Sequence, residues 1–193
     1  MFNLNELNEL THHLSRLQYL SEAIAVDIGL KHDEIMKVGI AAFFHDFGKL
    51  LIDQNILNAK RKLTLDEFEH IKQHVTKGST LLSSIGLNAE LIDIISQHHE
   101  DYDGSGYPLG LKGENIDIKA RIIRIADFYD SLRYKRPYRD KLSEKQALEI
   151  MRSEKHKLDP YIFEIFVNCT LKKINYSNQY HLIESKKLIE SYV

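Results

Sequence analysis

Apolar residues recur at three- and four-residue intervals along almost the whole chain, a period that lines one face of an α-helix and no face of a strand. From Leu4 to Ile28, the residues Leu7, Leu10, Leu14, Leu17, Ile24 and Ile28 form one stripe, which Gly29 stops. The pattern predicts a second helix from about Asp33 to His45, broken at Gly48. Thr64 and Glu67 make a capping box that opens a third long helix from Leu65 into the 80s. Gly86 and Asn88 separate it from a helix over LIDIISQHH. Between Asp101 and Asp117, Gly104, Gly106, Pro108, Gly110 and Gly113 impose a loop. Helix resumes with IKARIIRIADFYDSL, and Ser143 with Gln146 and Asp159-Pro160 start two more. The closing LIESKKLIESYV reads as one further amphipathic helix. No strand-like alternation competes, so the fold class is all-α. One domain is expected over residues 1–170, with 171–193 as a C-terminal helical extension of it.

At 193 residues the chain is long enough to bury a proper core. Its net charge of −2 excludes a general binder of nucleic-acid polymers, which carries a basic excess. No apolar run reaches the roughly 18 residues of a membrane helix, so no membrane span is expected. The N-terminal MFNLNELNEL lacks a basic region before an apolar core and is not read as a signal peptide. Cys169 is the only cysteine, which rules out an internal disulfide and a multi-thiolate metal site and fits a cytoplasmic location.

The ten histidines carry more information. Glu9 and His13 are four apart on the first helix, and His13 sits at the edge of the leucine stripe while His12 projects away. A boundary histidine bonded in the core is the plainer account of that helix taken alone. His45 and Asp46 emerge from an apolar helix into the break at Gly48, with Lys49 beside them. Burying such a pair without partners costs several kcal/mol, and a divalent ion would satisfy both. His70 and His74 are four apart, and the helical wheel does not choose between them. His98 and His99 end the fourth helix and reach one centre only if it lies at the helix end. Asp127 lies on an apolar stretch, either as a ligand or as an ion-pair partner of Arg124, with Asp130 three residues on. Several helices thus deliver imidazole or carboxylate from the edge of an apolar face, as bundle metal centres are built. Mixed nitrogen and oxygen donors suit Fe, Mn, Ni or Zn, and their number suits two or three ions.

The segments HLSRL, HDFGKLLIDQNIL, LTLDEFEHIKQH, HHEDYDGSGYPLGLKG and ARIIRIADFYDSLRYKRPYR occur here in that order. In this the sequence resembles the HD-GYP family, a branch of the HD-domain phosphohydrolases, from about Leu7 to Val167. The resemblance implies an HD-domain helical bundle with a GYP loop and extra C-terminal helices. It implies metal ligation by His13, His45, Asp46, His74, His98, His99 and Asp127. Glu9 is implied as a further ligand if the centre holds three ions, with iron the usual metal and manganese an alternative. It also implies a bacterial second-messenger phosphodiesterase that hydrolyses cyclic di-GMP to pGpG or GMP through a metal-activated hydroxide. The sequence departs from the family where Asp53 replaces a usual proline and where a following Lys-Pro is missing.

Within that resemblance Lys49 is expected to hold a phosphate oxygen, and Tyr107 to meet a phosphate or guanine. Asp130 is expected to orient the attacking water or Lys49. The stretch from Lys119 to Lys141 carries eight Lys/Arg against three Asp, and Arg136 and Arg139 in RPYR are candidate phosphate or guanine contacts. Two other readings keep the motifs. One is a phosphodiesterase for another cyclic dinucleotide such as cyclic GMP-AMP. The other is a weakly active, metal-containing sensor or interaction module. A regulatory domain or partner protein and a homodimer through the terminal helices complete the expectations.

Overall fold

The computed structural model describes residues 4–134 and 141–174, with side chains from His12 onward. Among them every regular element is helical. The order is α1 (Leu4–Ile28), α2 (His32–Phe44), α3 (Gln54–Leu57), α4 (Leu65–Lys72), α5 (His74–Ser84), α6 (Ala89–Ser96), α7 (Ile118–Arg133), α8 (Glu144–Ser153) and α9 (Pro160–Ile165). A 3-10 turn spans Phe47–Leu51, and a π turn follows α9 over Phe166–Thr170, carrying the half-buried Cys169. The sequence extension over 171–193 lies mostly outside the described residues.

The expected stops fall where glycine is needed. Gly29 and Gly86 take φ of +87° and +84°, a left-handed conformation that other residues adopt at a cost. The following Leu30 and Leu87 amides bond back to the Ala25 and Leu82 carbonyls, closing both helices in the same way. Both expected capping boxes are present, Thr64 with Glu67 and Ser143 with Gln146.

One expected helix is two. The chain breaks at Gln73, whose amide returns to the His70 carbonyl at 3.2 Å, while the His74 ring takes the Ile71 carbonyl at 2.8 Å. A side chain thereby takes a carbonyl at the junction of α4 and α5. The periodicity continues across the break, so spacing alone reads through it.

Helix α7 is the axis of the molecule and packs against α1, α2, α6, α8 and α9. Ala120, Ile122, Ile123, Ile125 and Ala126 are sealed within it, as expected of a helix apolar nearly all round. Its buried polar residues, Lys119, Asp127 and Asp130, therefore need partners. Lys119 finds Glu34 of α2 at 2.7 Å, and Lys37 joins Glu34 and Glu90 at 2.7 and 2.8 Å, tying α2, α6 and α7 together. Lys119→Met is expected to destabilise the fold by about 1–3 kcal/mol in a denaturant titration. The Lys119 and Lys37 hydrogen bonds hold the Glu34 carboxyl down at about 2. Glu34 thus binds a proton less readily folded than unfolded, so its contribution is full above the ordinary carboxylate range and is lost as pH falls toward 2. In Lys119→Met that acid-side loss should be shallower.

Candidate metal centre

The apolar face of α2, with Val38, Ala41 and Ala42 sealed, carries the chain inward, so His45 and Asp46 arrive buried. The break at Gln73 puts the buried His74 at the first position of α5. His98 and His99 follow the end of α6, where the last turn opens toward the same space.

Three imidazoles are held alike. The Nδ1 atoms of His45, His74 and His98 lie 2.7, 2.8 and 2.6 Å from the carbonyl oxygens of Ala42, Ile71 and Ile95. A carbonyl only accepts, so each Nδ1 carries the proton and each Nε2 presents a lone pair. Those lone pairs converge. His74 Nε2 stands 3.3 Å from His98 Nε2, and the buried His45 Nε2 and Asp46 Oδ1 have no hydrogen-bond partner. Lone pairs facing one another across 3.3 Å repel unless a cation lies between them. Imidazoles fixed through Nδ1 to backbone carbonyls are what metal ligation requires. The residues present fit a divalent cation.

The donors fall into two sets, each with its ligand atoms within 4.8 Å of one another: Asp46, His74, His98 and His99, and His13, His45 and Asp127. Asp46 stands between them. Its Oδ2 is 3.1 Å from His45 Nε2 and 3.8 Å from His13 Nε2, and its Oδ1 is 3.4 Å from His74 Nε2. The histidine His70, which the wheel left level with His74, belongs to neither set. Arg124 pairs with Asp101 at 2.8 Å, while Asp127 gathers with His13 and His45.

Electrostatics suit the arrangement. Burial, with His45 and His74 adding to it, pushes His98 down to about 3, and burial beside His98 and His74 takes His99 well below the usual imidazole range. Both are neutral donors at pH 7. Burial works to raise Asp46, but His45 and Lys49 outweigh it and hold the carboxylate charged. His13 behaves oppositely: burial would lower it, yet its hydrogen bonds to the Asp130 and Asp46 carboxylates lift it to about 9.

The other candidates take definite places. Lys49 Nζ donates to Asp46 Oδ2 at 2.5 Å. Asp130 receives His13 Nδ1 at 2.7 Å and the Arg16 guanidinium at 2.9 and 3.2 Å. It therefore orients an imidazole. Tyr107 stacks on His99, ring centroids 4.8 Å apart, and burial keeps its phenol protonated. Asp53, at the position of the missing proline, caps α3 by accepting the Asn55 amide. The Glu9 side chain, Arg136 and Arg139 lie outside the described residues.

Two residues were not picked out from the sequence. Arg16 lies three residues after His13, hence on the same helical face. Glu100, directly after the paired histidines and 1% exposed, accepts the Leu109 and Leu111 amides at 2.6 and 2.9 Å and so ties down the glycine-rich loop. An acid at the mouth of a loop rich in free amides is the signal that marks it. Glu100→Gln turns an amide group toward a backbone N–H, and should cost about 1–3 kcal/mol. Hydrogen exchange at Leu109 and Leu111 should accelerate with it.

A family model described as HD domain matches residues 4–162. The chain belongs to the HD domain family. The intact Gly-Tyr-Pro segment marks the HD-GYP branch of HD domains. This HD domain is 38% identical over 152 residues to the cyclic di-GMP phosphodiesterase response regulator RpfG of Xanthomonas campestris, covering 76% of this chain and 40% of that protein. It is 34% identical over 157 residues to the 3′3′-cGAMP-specific phosphodiesterase 1 of Vibrio cholerae, covering 80% of this chain and 36% of that one. The chain thus spans less than half the length of these relatives. In three dimensions it superposes on Bd1817, an HDG"Y"P protein of Bdellovibrio bacteriovorus, with a TM-score of 0.69 at 22% identity, over 84% of this chain and 52% of that one. Among the described residues, no helix is long and apolar enough to cross a membrane.

Proposed function

We propose that this chain is a metal-dependent phosphodiesterase that hydrolyses cyclic di-GMP to pGpG, GMP or both. The observation that carries the reading is the convergence of bare imidazole nitrogens on Asp46, whose two oxygens face two separate donor sets. Its substrate class is supported by the relatives acting on cyclic dinucleotides.

In this reading His13, His45, Asp46 and Asp127 would hold one ion, and Asp46, His74, His98 and His99 would hold another. Glu9, one helical turn before His13, is the ligand for a third, with iron first and manganese, nickel or zinc as alternatives. Divalent ions there supply Lewis-acid activation of water and neutralise charge on the phosphoryl oxygens. The chain's own groups do the remainder. Water loses a proton as its oxygen bonds to phosphorus, the bond to the 3′-oxygen breaks opposite to it, and the leaving oxygen takes a proton from solvent. Lys49 moves from Asp46 to a phosphate oxygen, and the neutral Tyr107 phenol donates to a phosphate or guanine. Arg136 and Arg139 grip the remaining phosphate or a guanine edge. Asp130 fixes His13. A regulatory domain or partner protein, a homodimer and a cytoplasmic setting belong to the same proposal.

The test is chromatography of products after the metal-loaded protein is incubated with cyclic di-GMP. Appearance of pGpG or GMP supports the reading, and no product with metal bound overturns it. The Vibrio relative favours 3′3′-cGAMP as the second substrate, and turnover of that dinucleotide alone would move the assignment to it. Lys49→Ala should retain metal and slow turnover by about a hundredfold, near 3 kcal/mol of barrier. Metal lost with the lysine would refute its role as a phosphate contact.

A further inference from the structure

Neither the donor sets nor the proposed substrate contacts account for Arg16. Its guanidinium works in two directions. Along its edge, Nε and Nη2 donate to the two oxygens of Asp130 at 2.9 and 3.2 Å, and Asp130 Oδ2 also receives His13 Nδ1 at 2.7 Å. Across its face, the guanidinium carbon lies 3.4 Å from the ring centroid of Tyr134, the residue that ends α7. The sequence continues from Tyr134 into the segment carrying Arg136 and Arg139.

We infer that Arg16 is a positioning residue for the metal centre. By clamping Asp130 it fixes the direction of His13, so that Nε2 faces Asp46. Its stacking on Tyr134 holds the guanidinium itself in place. The inference rests on the metal-centre reading above.

An ordinary surface Arg–Asp pair contributes little, and that is the bland alternative. It does not suit this pair. The Asp130 side chain is 5% exposed, and the same carboxylate holds an imidazole of the donor set. Lysine cannot substitute, because one ammonium offers neither the two-pronged fork nor a flat face to lay on a ring. Arg16→Lys therefore keeps the charge and removes the geometry.

The experiment measures manganese affinity by titration calorimetry and steady-state hydrolysis of cyclic di-GMP, on wild type, Arg16→Lys and Tyr134→Leu. Circular dichroism checks each fold. Arg16→Lys is expected to weaken manganese binding by about ten- to a hundredfold, the range for losing the group that orients a ligating histidine. Cobalt(II)-loaded Arg16→Lys should also show an altered visible absorption band. Tyr134→Leu removes the ring under the guanidinium and leaves the fork on Asp130, so it is expected to weaken manganese binding less than Arg16→Lys does. Manganese affinity unchanged in Arg16→Lys would overturn the role of Arg16 at the ions. If Arg16→Lys does not fold, Arg16→Gln carries the same readouts. A wild type that binds no metal would instead bring down the metal-centre reading, and this inference with it.

Discussion

Asp46→Asn is expected to lose bound metal and to reduce cyclic di-GMP hydrolysis by about a thousandfold or more, some 4 kcal/mol of barrier. The substitution keeps the shape of the side chain and removes its charge, so it separates ligation from packing. Asp46 has 7% of its surface exposed, its Oδ1 has no hydrogen-bond partner, and its oxygens face His45, His13 and His74 at 3.1, 3.8 and 3.4 Å. Among the described residues, Asp46 belongs to one donor set and has an oxygen facing histidines of the other, so its loss is expected to weaken both sites where the loss of any one histidine weakens one. Without metal the carboxylate is held by Lys49 and by the charged His13, and the amide forfeits those attractions. The folded protein should therefore melt somewhat lower, while still showing native helix content. His70→Ala is the matched control. It removes an imidazole from α4 that lies outside both sets, and should leave metal content as in the wild type. Elemental analysis of the purified proteins decides the matter. Two ions retained in Asp46→Asn would show that the two donor sets do not share this carboxylate.

His70 and His74 show where the sequence speaks and where it is silent. Both lie on one apolar-periodic run, and the wheel treats them alike. The break at Gln73 separates them, and the His74 ring bonds locally to the Ile71 carbonyl, neither of which leaves a trace in spacing. The resemblance chose His74 because a motif records the outcome of such arrangements. The helices were legible for a simpler reason. Stripes such as Leu14, Leu17 and Ile24 have only one way to be buried together, and the caps at Thr64, Ser143 and Asp159 name their own helix starts. Arg16 and Asp130 illustrate the opposite case. Arg16 reads as an ordinary charged residue on its own helix, and its pairing with Asp130 exists only because α1 packs against α7, 114 residues apart in sequence. Burial alone says that Asp130 needs a partner, and it does not say which cation supplies it. Gly48 falls at the break after α2 that its place in the sequence predicts, yet its φ is not positive, and what it provides there is absence of volume.

Gly48→Ala should consequently be among the most damaging single-methyl changes in the chain. A Cβ at Gly48 would stand 1.8 Å from the His74 carbonyl oxygen and 2.7 Å from the Gly78 nitrogen. Both are backbone atoms of α5, so no side chain can rotate to make room. Ordinary contact with the carbonyl oxygen is restored only when the 3-10 turn and α5 separate by more than an ångström. The turn begins one residue after Asp46 and α5 begins at His74, so the separation falls on the 3.4 Å approach of those two side chains. Overpacking of this kind against rigid backbone is expected to cost about 3 kcal/mol or more. For a domain of this size that is a drop in melting temperature of roughly 6–12 °C. Metal content should fall with it, because two ligands are displaced relative to each other even in molecules that remain folded. Gly78→Ala provides the graded comparison. Its Cβ would meet the Gly48 nitrogen at 2.9 Å, a milder overlap, so the cost should be smaller in both melting and metal content. The reverse order, or a Gly48→Ala protein that melts and binds metal as the wild type does, would mean that the contact between the turn and α5 does not set the distance between Asp46 and His74.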